Sequence, residues 1–240
     1  MPRFFTKDID ENFARITGQD AKHISRVLRM KPGEKLTVCD GMGNDYLCEI
    51  TSMLEHEVTL SILDKSKSKS EPAVSVTLFQ GLPKSDKMDY IVQKSVELGI
   101  TRVVPVVTAR SVSRPDEKSM HGKIERWNKI AAEAAKQCGR GQIPKVETTV
   151  TFHRALDELR RMETALLFYE GSTAKIAGQL NNTVREIGFL IGPEGGLEPG
   201  EVQAAKEAGI FVAGLGPRIL RTETAPICVL SIIMYATGNL

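Results

Sequence analysis

The chain has few cysteines, and none is spaced for a metal site or a disulfide framework. The four cysteines form no CxxC pair, and the four histidines do not cluster with them: Cys39, Cys48, Cys138 and Cys228; His23, His56, His121 and His153. Zinc sites and disulfide frameworks require short, regular ligand spacings. The sequence therefore predicts no metal and reduced cysteines, as is typical of a cytosolic protein.

Long apolar runs are also missing. The longest covers residues 227–236, is interrupted by Ser231, and is too short to span a bilayer. The first five residues contain no apolar core of the kind that a secretory signal requires. These absences predict a cytoplasmic location and a buried helix near the end of the chain.

Three common nucleotide and hydrolase motifs are absent. The first strand of the longer half ends at Gln80, and the next residues, 81–84, do not continue as GxGxxG. Neither GxxxxGK[ST] nor the serine-centred GxSxG occurs. These absences exclude an ordinary dinucleotide-binding turn, a phosphate-binding P-loop and the nucleophile elbow of a serine hydrolase. They leave another class of protein that binds a nucleotide-like ligand.

Charge is nearly balanced, at +2 overall, so the whole chain is not a generic polyanion binder. Residues 72–145 are different, with thirteen Lys and Arg against seven Asp and Glu. Such a basic segment is typical of a nucleic-acid footprint. Solvated helix faces would give the same composition, and charge alone does not separate these two interpretations.

The hydrophobic pattern changes once along the chain, which predicts two domains. Residues 1–70 show the alternation of half-buried strands around a short helix at 20–28, as in a small barrel. The polar stretch 65–72 is interpreted as a linker. Residues 73–240 alternate strands with helices, which predicts an α/β domain with a mainly parallel sheet. Strands are expected at 74–79, 103–107, 164–169, 187–191 and 210–213, and helices at 84–98, 119–138, 153–161, 173–180, 199–208 and 225–236.

Two loops rich in glycine and proline, at residues 191–196 and 215–225, follow predicted strands. Ligands of α/β proteins bind at the carboxyl ends of strands, and glycine lets the backbone approach them closely. Glu194 in the first loop would repel a phosphate. A ligand without phosphate and with positive charge fits better, and S-adenosylmethionine is such a ligand. Ordinary tight turns are the alternative.

These loops resemble those of the RsmE family, the 16S ribosomal RNA uridine-N3 methyltransferases of the SPOUT superfamily. The segments 23–29, 84–89, 94–99, 109–111 and 133–140 resemble family motifs in the same order, so the resemblance covers nearly the whole chain. It implies a PUA-like β-barrel that binds RNA and a SPOUT methyltransferase domain with a trefoil knot. It also implies a homodimer that acts on 16S rRNA in the small ribosomal subunit.

The resemblance further implies S-adenosylmethionine as cofactor, held by three loops. The implied cofactor-binding residues are Leu167, Phe168, Tyr169, Glu170, Ile191, Gly192, Pro193, Glu194, Gly195, Gly196, Leu215, Gly216, Ile219, Leu220, Arg221, Thr222 and Ala225. The implied RNA-binding residues are Arg26, Arg29, Lys84, Lys87, Arg110, Arg114 and Arg140, each of which would equally suit a surface charge.

Methylation at uracil N3 requires removal of a weakly acidic proton and stabilisation of the resulting anion. Arg221 or Arg218 is a candidate for the stabilising cation. Glu223 or Glu170 is a candidate for accepting the proton or for orienting an arginine. Capping of the last helix is the alternative role for Glu223.

Two other functions compete with this prediction. One is a SPOUT methyltransferase for another RNA position, such as a ribose 2′-hydroxyl or a tRNA base. The other is a non-catalytic RNA-binding assembly factor, against which the complete cofactor loops argue.

Overall fold

The computed structural model describes residues 1–112 and 116–240, with the backbone alone described at Glu117. The chain divides into two compact units. The first comprises residues 1–71 and 135–143, and the second comprises 72–134 and 144–240. The predicted boundaries, 1–70 and 73–240, do not include this return of residues 135–143 to the first unit.

The first unit is built on a five-stranded sheet in the order β1-β3-β4-β5-β2. Its elements are β1 (Arg3–Phe5), β2 (Phe13–Thr17), α1 (Gly18–Lys22) with a π-helical turn (His23–Val27), β3 (Lys35–Cys39), β4 (Asn44–Met53) and β5 (Glu57–Lys67). Alternate residues of β2 to β5 face an apolar core, as the sequence period predicts. The predicted linker is partly wrong, because residues 65–67 belong to β5 and pair with β4.

The second unit contains a parallel sheet in the order β12-β10-β11-β6-β7-β8, with β9 paired to β7. Its strands are β6 (Ser75–Gly81), β7 (Arg102–Val107), β8 (Lys145–Val146), β9 (Val150–Thr151), β10 (Thr164–Phe168), β11 (Glu186–Ile191) and β12 (Phe211–Ala213). In β6 all residues after the first are buried, as expected for a strand covered on both faces. The predicted parallel sheet is confirmed.

The described residues of the chain after β6 form the helices α2 (Lys87–Glu97), α3 (Glu117–Cys138), α4 (Phe152–Leu159), α5 (Pro199–Glu207) and α6 (Thr224–Ala236), and the last residues of α3 belong to the first unit. Within the described ranges no helix is long and apolar enough to cross a membrane. The predicted helix at 173–180 is wrong, since only a 3-10 turn (Ile176–Gln179) without buried residues forms there. The preceding backbone bonds to the end of β12 instead: the Ser172 hydroxyl donates to Val212 O, and Gly214 N–H donates to Ala174 O.

Strand order brings the predicted loops together. Strands β12, β10, β11 and β6 are neighbours and run in the same direction, so their carboxyl ends share one edge. The segments that follow β10, β11 and β12 therefore meet at that edge, although they are far apart in the sequence.

Candidate functional site

A cavity of about 780 Å³ opens at this edge of the sheet, within the usual size range of small-ligand sites. The loops after β10, β11 and β12 line it. All but one of the predicted cofactor-binding residues contribute to its wall. The exception is Leu167, which is fully buried in the core beneath the sheet edge.

Several wall residues were not predicted for any role in the site. They are Gly171, Ser172, Thr173, Lys175, Leu197, Gly214 and Pro217. Residues 173–175 were missed because the segment was interpreted as helix. The segment follows a strand end and Gly171, but it lacks the proline that marked the other two loops.

The loops around the cavity approach one another closely at two glycines. Gly196 has φ +68°, and a Cβ atom added there would lie 2.8 Å from Glu170 Oε1. A Cβ atom on Gly214 would lie 1.9 Å from the carbonyl oxygen of Ser172. Backbone excludes a Cβ atom at Gly214, and the positive φ of Gly196 strains any other residue, so these glycines fix the spacing between the three loops.

A buried polar network joins two of the loops to β6. The Gln80 side chain is fully buried, and its Nε2 donates to Thr222 Oγ1 at 3.2 Å and to Gly81 O at 3.0 Å. Thr222 Oγ1 in turn donates to Gly192 O at 2.9 Å. These residues, here called the Gln80 network, hold the 191–196 loop against the segment that enters α6. Sequence reasoning noted Gln80 only as a departure from GxGxxG and missed this role.

An ionic cluster joins the same two loops to the start of α2. Lys87 Nζ lies 3.0 Å from Glu194 Oε1 and 3.2 Å from Glu223 Oε2. Glu194 also accepts a hydrogen bond from the Lys84 backbone N–H at 3.0 Å. Lys87, Glu194 and Glu223 are called the Lys87 cluster. The charge of Glu194, from which a cationic ligand was predicted, is thus engaged within the protein.

The ionisation of the cluster follows from its hydrogen bonds. Partial burial alone would raise the pKa of Glu194, but its own backbone N–H, the Lys87 ammonium and the Lys84 N–H together hold the pKa below its usual value. The hydrogen bond to Glu194, foremost, raises the pKa of Lys87 above its usual value. Both shifts favour the charged forms of the Lys87–Glu194 pair.

The predicted catalytic residues occupy different positions. Arg218 and Arg221 line the cavity and are exposed. Glu223 is absent from the described wall, and its Oε2 is buried against Lys87 in an ion pair without hydrogen-bond geometry. It occupies the N-cap position of α6 but makes no side-chain capping bond, so the capping alternative is not supported. Glu170 does line the cavity.

The predicted RNA-binding residues separate by burial. Arg140 is only 3% exposed and pairs with Glu71 at 2.7 Å inside the first unit, so its guanidinium does not face solvent and the prediction of a phosphate contact is not supported. Arg110 is exposed, and its Nη1 donates to Gly195 O at 2.9 Å. The other exposed members are Arg26, Arg29 and Lys84, whereas Lys87 is half-buried in its cluster. Arg114 lies outside the described residues.

Metal ligands do not gather at the cavity or elsewhere in the described ranges, where no group of three His, Cys, Asp or Glu side chains is placed to hold an ion. The polar part of the wall consists of backbone amides and carbonyls, hydroxyl groups, and charged side chains of both signs. The charged residues are Glu170, Glu194, Arg218, Arg221, Lys87 and Lys175. Such a wall, with charges of both signs, suits a ligand that itself carries both signs of charge, beside a target that becomes anionic.

Comparison with known proteins supports this interpretation. A family model described as an RNA methyltransferase domain matches residues 69–234, and one described as an RNA methyltransferase PUA domain matches residues 16–63. The chain is 37% identical to ribosomal RNA small subunit methyltransferase E of Bacillus subtilis, covering 92% of this chain and 90% of that protein. It is 30% identical to the Aquifex aeolicus protein of the same name, covering 98% of this chain and 99% of that protein.

A solved structure is similar over nearly the whole chain. It is a ribosomal RNA small subunit methyltransferase E from Neisseria gonorrhoeae bound to S-adenosyl methionine. The TM-score is 0.86 at 32% identity, and the alignment covers 98% of this chain and 97% of that one. The predicted fold class, a PUA-like domain followed by a SPOUT-type α/β methyltransferase domain, is confirmed.

Proposed function

Because this chain belongs to the ribosomal RNA small subunit methyltransferase E family, we propose that it transfers a methyl group from S-adenosylmethionine to N3 of a uridine in 16S ribosomal RNA. The observation that carries the proposal is the cavity at the sheet edge, which is enclosed by the two loops that resemble the family signature and by the loop after β10. The relatives' names support the RNA substrate, and the cavity chemistry supports the cofactor.

The residues of the cavity fit S-adenosylmethionine. Phe168, Ile191 and Leu197 supply apolar surface for a purine ring, and the glycines at 192, 195 and 196 allow backbone groups to reach polar edges of the ligand. The Glu170 carboxylate is exposed at the wall, where it favours a positive sulfonium. When bound, the cofactor supplies an electrophilic methyl group.

The side chains of this chain then act on the uracil. Of the two carboxylates that the sequence left open, Glu170 lines the cavity and Glu223 does not, so we assign Glu170 as the acceptor of the N3 proton. Arg221, with Arg218 beside it, stabilises the negative charge that develops on the ring. The target base must leave its stack to reach the cavity.

The assembly and setting are also proposals. We propose a homodimer, a trefoil knot in the second unit, cytoplasmic action, and the small ribosomal subunit as the context of the substrate. Exposed apolar side chains on neighbouring helices support the dimer: Tyr90 on α2, and Ile232 and Tyr235 on α6. Burial of such a face against a second copy would remove apolar surface from water.

Methyl transfer tests the function. Purified protein is incubated with methyl-labelled S-adenosylmethionine and small ribosomal subunits that lack their own uridine-N3 methylation, and the RNA is digested to nucleosides. Label in 3-methyluridine is the expected result. Label in a 2′-O-methylated nucleoside, or only in added tRNA, would favour another SPOUT activity, and unlabelled RNA with intact cofactor binding would favour an assembly factor.

A further inference from the structure

Lys87 connects three segments that are distant in the sequence. It begins α2, lines the cavity, and contacts Glu194 in the loop after β11 and Glu223 at the N-cap of α6. Its side chain is 32% exposed, as against the exposed Lys84 three residues earlier. One ammonium group therefore holds two cofactor-loop segments at once.

The charge of the cluster argues against a phosphate contact at Lys87. Two carboxylates lie within 3.2 Å of its Nζ, so the formal charge of the group is negative. A phosphate approaching it would meet net repulsion and would have to displace existing ion pairs. The Lys84 backbone N–H donates to Glu194, whereas the Lys84 residue itself is exposed. Two lysines only three residues apart thus have different environments.

The position of Glu223 bears directly on Arg221. The N–H groups of Thr224 and Ala225 donate to the Arg221 carbonyl at 2.9 and 3.0 Å, which closes a tight turn around Glu223. A side chain fixed at Glu223 therefore also fixes the backbone of Arg221, which lines the cavity. Lys87 anchors that turn, through Glu194, to the 191–196 loop.

We propose that Lys87 is a positioning residue for methyl transfer: it aligns the 191–196 loop with the turn that carries Arg221 and makes no contact with RNA. This inference rests on the proposed function. The raised pKa of Lys87 agrees with this role, because its first cause, the hydrogen bond to Glu194, favours the charged ammonium that the ion pair requires.

The test compares Lys87→Met, Lys87→Arg and Lys84→Met in two measurements. The first is the single-turnover rate at saturating RNA and cofactor, and the second is RNA affinity as a function of salt concentration. Lys87→Met is expected to lower the rate roughly ten- to hundredfold, because small misplacements of catalytic groups are costly, without changing RNA affinity or its salt dependence. Lys87→Arg should recover most of the rate. Lys84→Met should weaken RNA binding and reduce the salt slope by about one.

Several outcomes would overturn the inference. One is a Lys87→Met variant whose rate is unchanged but whose RNA affinity is weaker and less dependent on salt. Another is a Lys87→Arg variant that is as slow as Lys87→Met. If Lys87→Met does not fold, Glu223→Gln reports on the same pair and should lower the rate with RNA affinity unchanged. The wild type separates the two proposals: no transfer by the wild type overturns the proposed function, whereas equal transfer by wild type and Lys87→Met overturns the positioning role alone.

Discussion

Two cations that the sequence predicted to contact RNA have different roles in the two units. In the first unit, Arg140 is buried and paired with Glu71, which also accepts the N–H groups of Gly141 and Gln142 at 2.8 and 3.0 Å. In the second unit, Lys87 is half exposed at the cavity wall between two carboxylates. Burial and partners, more than sequence motif, therefore separate a cation that fixes the fold from one that acts on a site.

The largest expected effect is that of Arg140→Met. It leaves the Glu71 carboxylate largely buried without its cation, which costs about 3–5 kcal/mol of unfolding free energy. Urea denaturation measures this loss. Cofactor affinity of the folded fraction should be unchanged, because the cavity lies in the other unit. A loss below about 1 kcal/mol, the range of surface ion pairs, would contradict the structural role.

A buried but uncharged contact in the second unit should give a smaller effect. Gln80→Met removes the donor that Thr222 Oγ1 and Gly81 O share, at an expected cost of about 1–3 kcal/mol. Cofactor affinity should also fall, since the 191–196 loop loses an anchor. The matched control is Gln203→Met, an exposed glutamine bonded only to Glu207 on α5 among the described residues, which should leave both quantities unchanged.

The stabilisation by the Lys87 cluster should depend on pH, whereas that by the uncharged Gln80 network should not. The pKa of Glu194 is lower in the folded protein than its ordinary value of 4.5, so its contribution to stability is full above that value and is lost as pH falls through the lowered pKa. The difference in urea midpoint between wild type and Glu194→Gln should therefore shrink on acidification below 4.5. A difference that stayed constant across this range would show that the carboxylate charge does not stabilise the loop.

The smallest effect on stability is expected on the surface of the first unit. Arg26 pairs with Glu55 at 3.5 Å, and both side chains are exposed, so Arg26→Gln should change the unfolding free energy by less than about 0.5 kcal/mol. RNA affinity should nevertheless fall, with a salt slope smaller by about one. If RNA affinity were unaltered, Arg26 would not belong to the RNA surface.

The sequence predicted the parts of the site that depend on local chemistry. Two loops of glycine and proline follow apolar strands, and the structure places both at one cavity. It did not predict contacts made by distant segments: Gln80 with Thr222, or the return of residues 135–143 to the first unit. The helix expected at 173–180 failed because local propensity did not account for hydrogen bonds to β12. Leu167 was predicted to line the site but is buried in the core, because it lies in β10 one residue before the first residue of the cavity wall, Phe168.

Cofactor binding at the three-loop cavity is tested most directly by titration calorimetry with S-adenosylmethionine on wild type and Gly196→Val. The backbone at this position has φ +68°, which a valine rarely adopts. The Cβ atom of a valine would also lie 2.8 Å from the Glu170 carboxylate at the cavity wall. Saturable binding by the wild type, with binding lost in a variant that keeps its circular dichroism spectrum, is the predicted result. Equal affinity in the two proteins would contradict the location of the cofactor site.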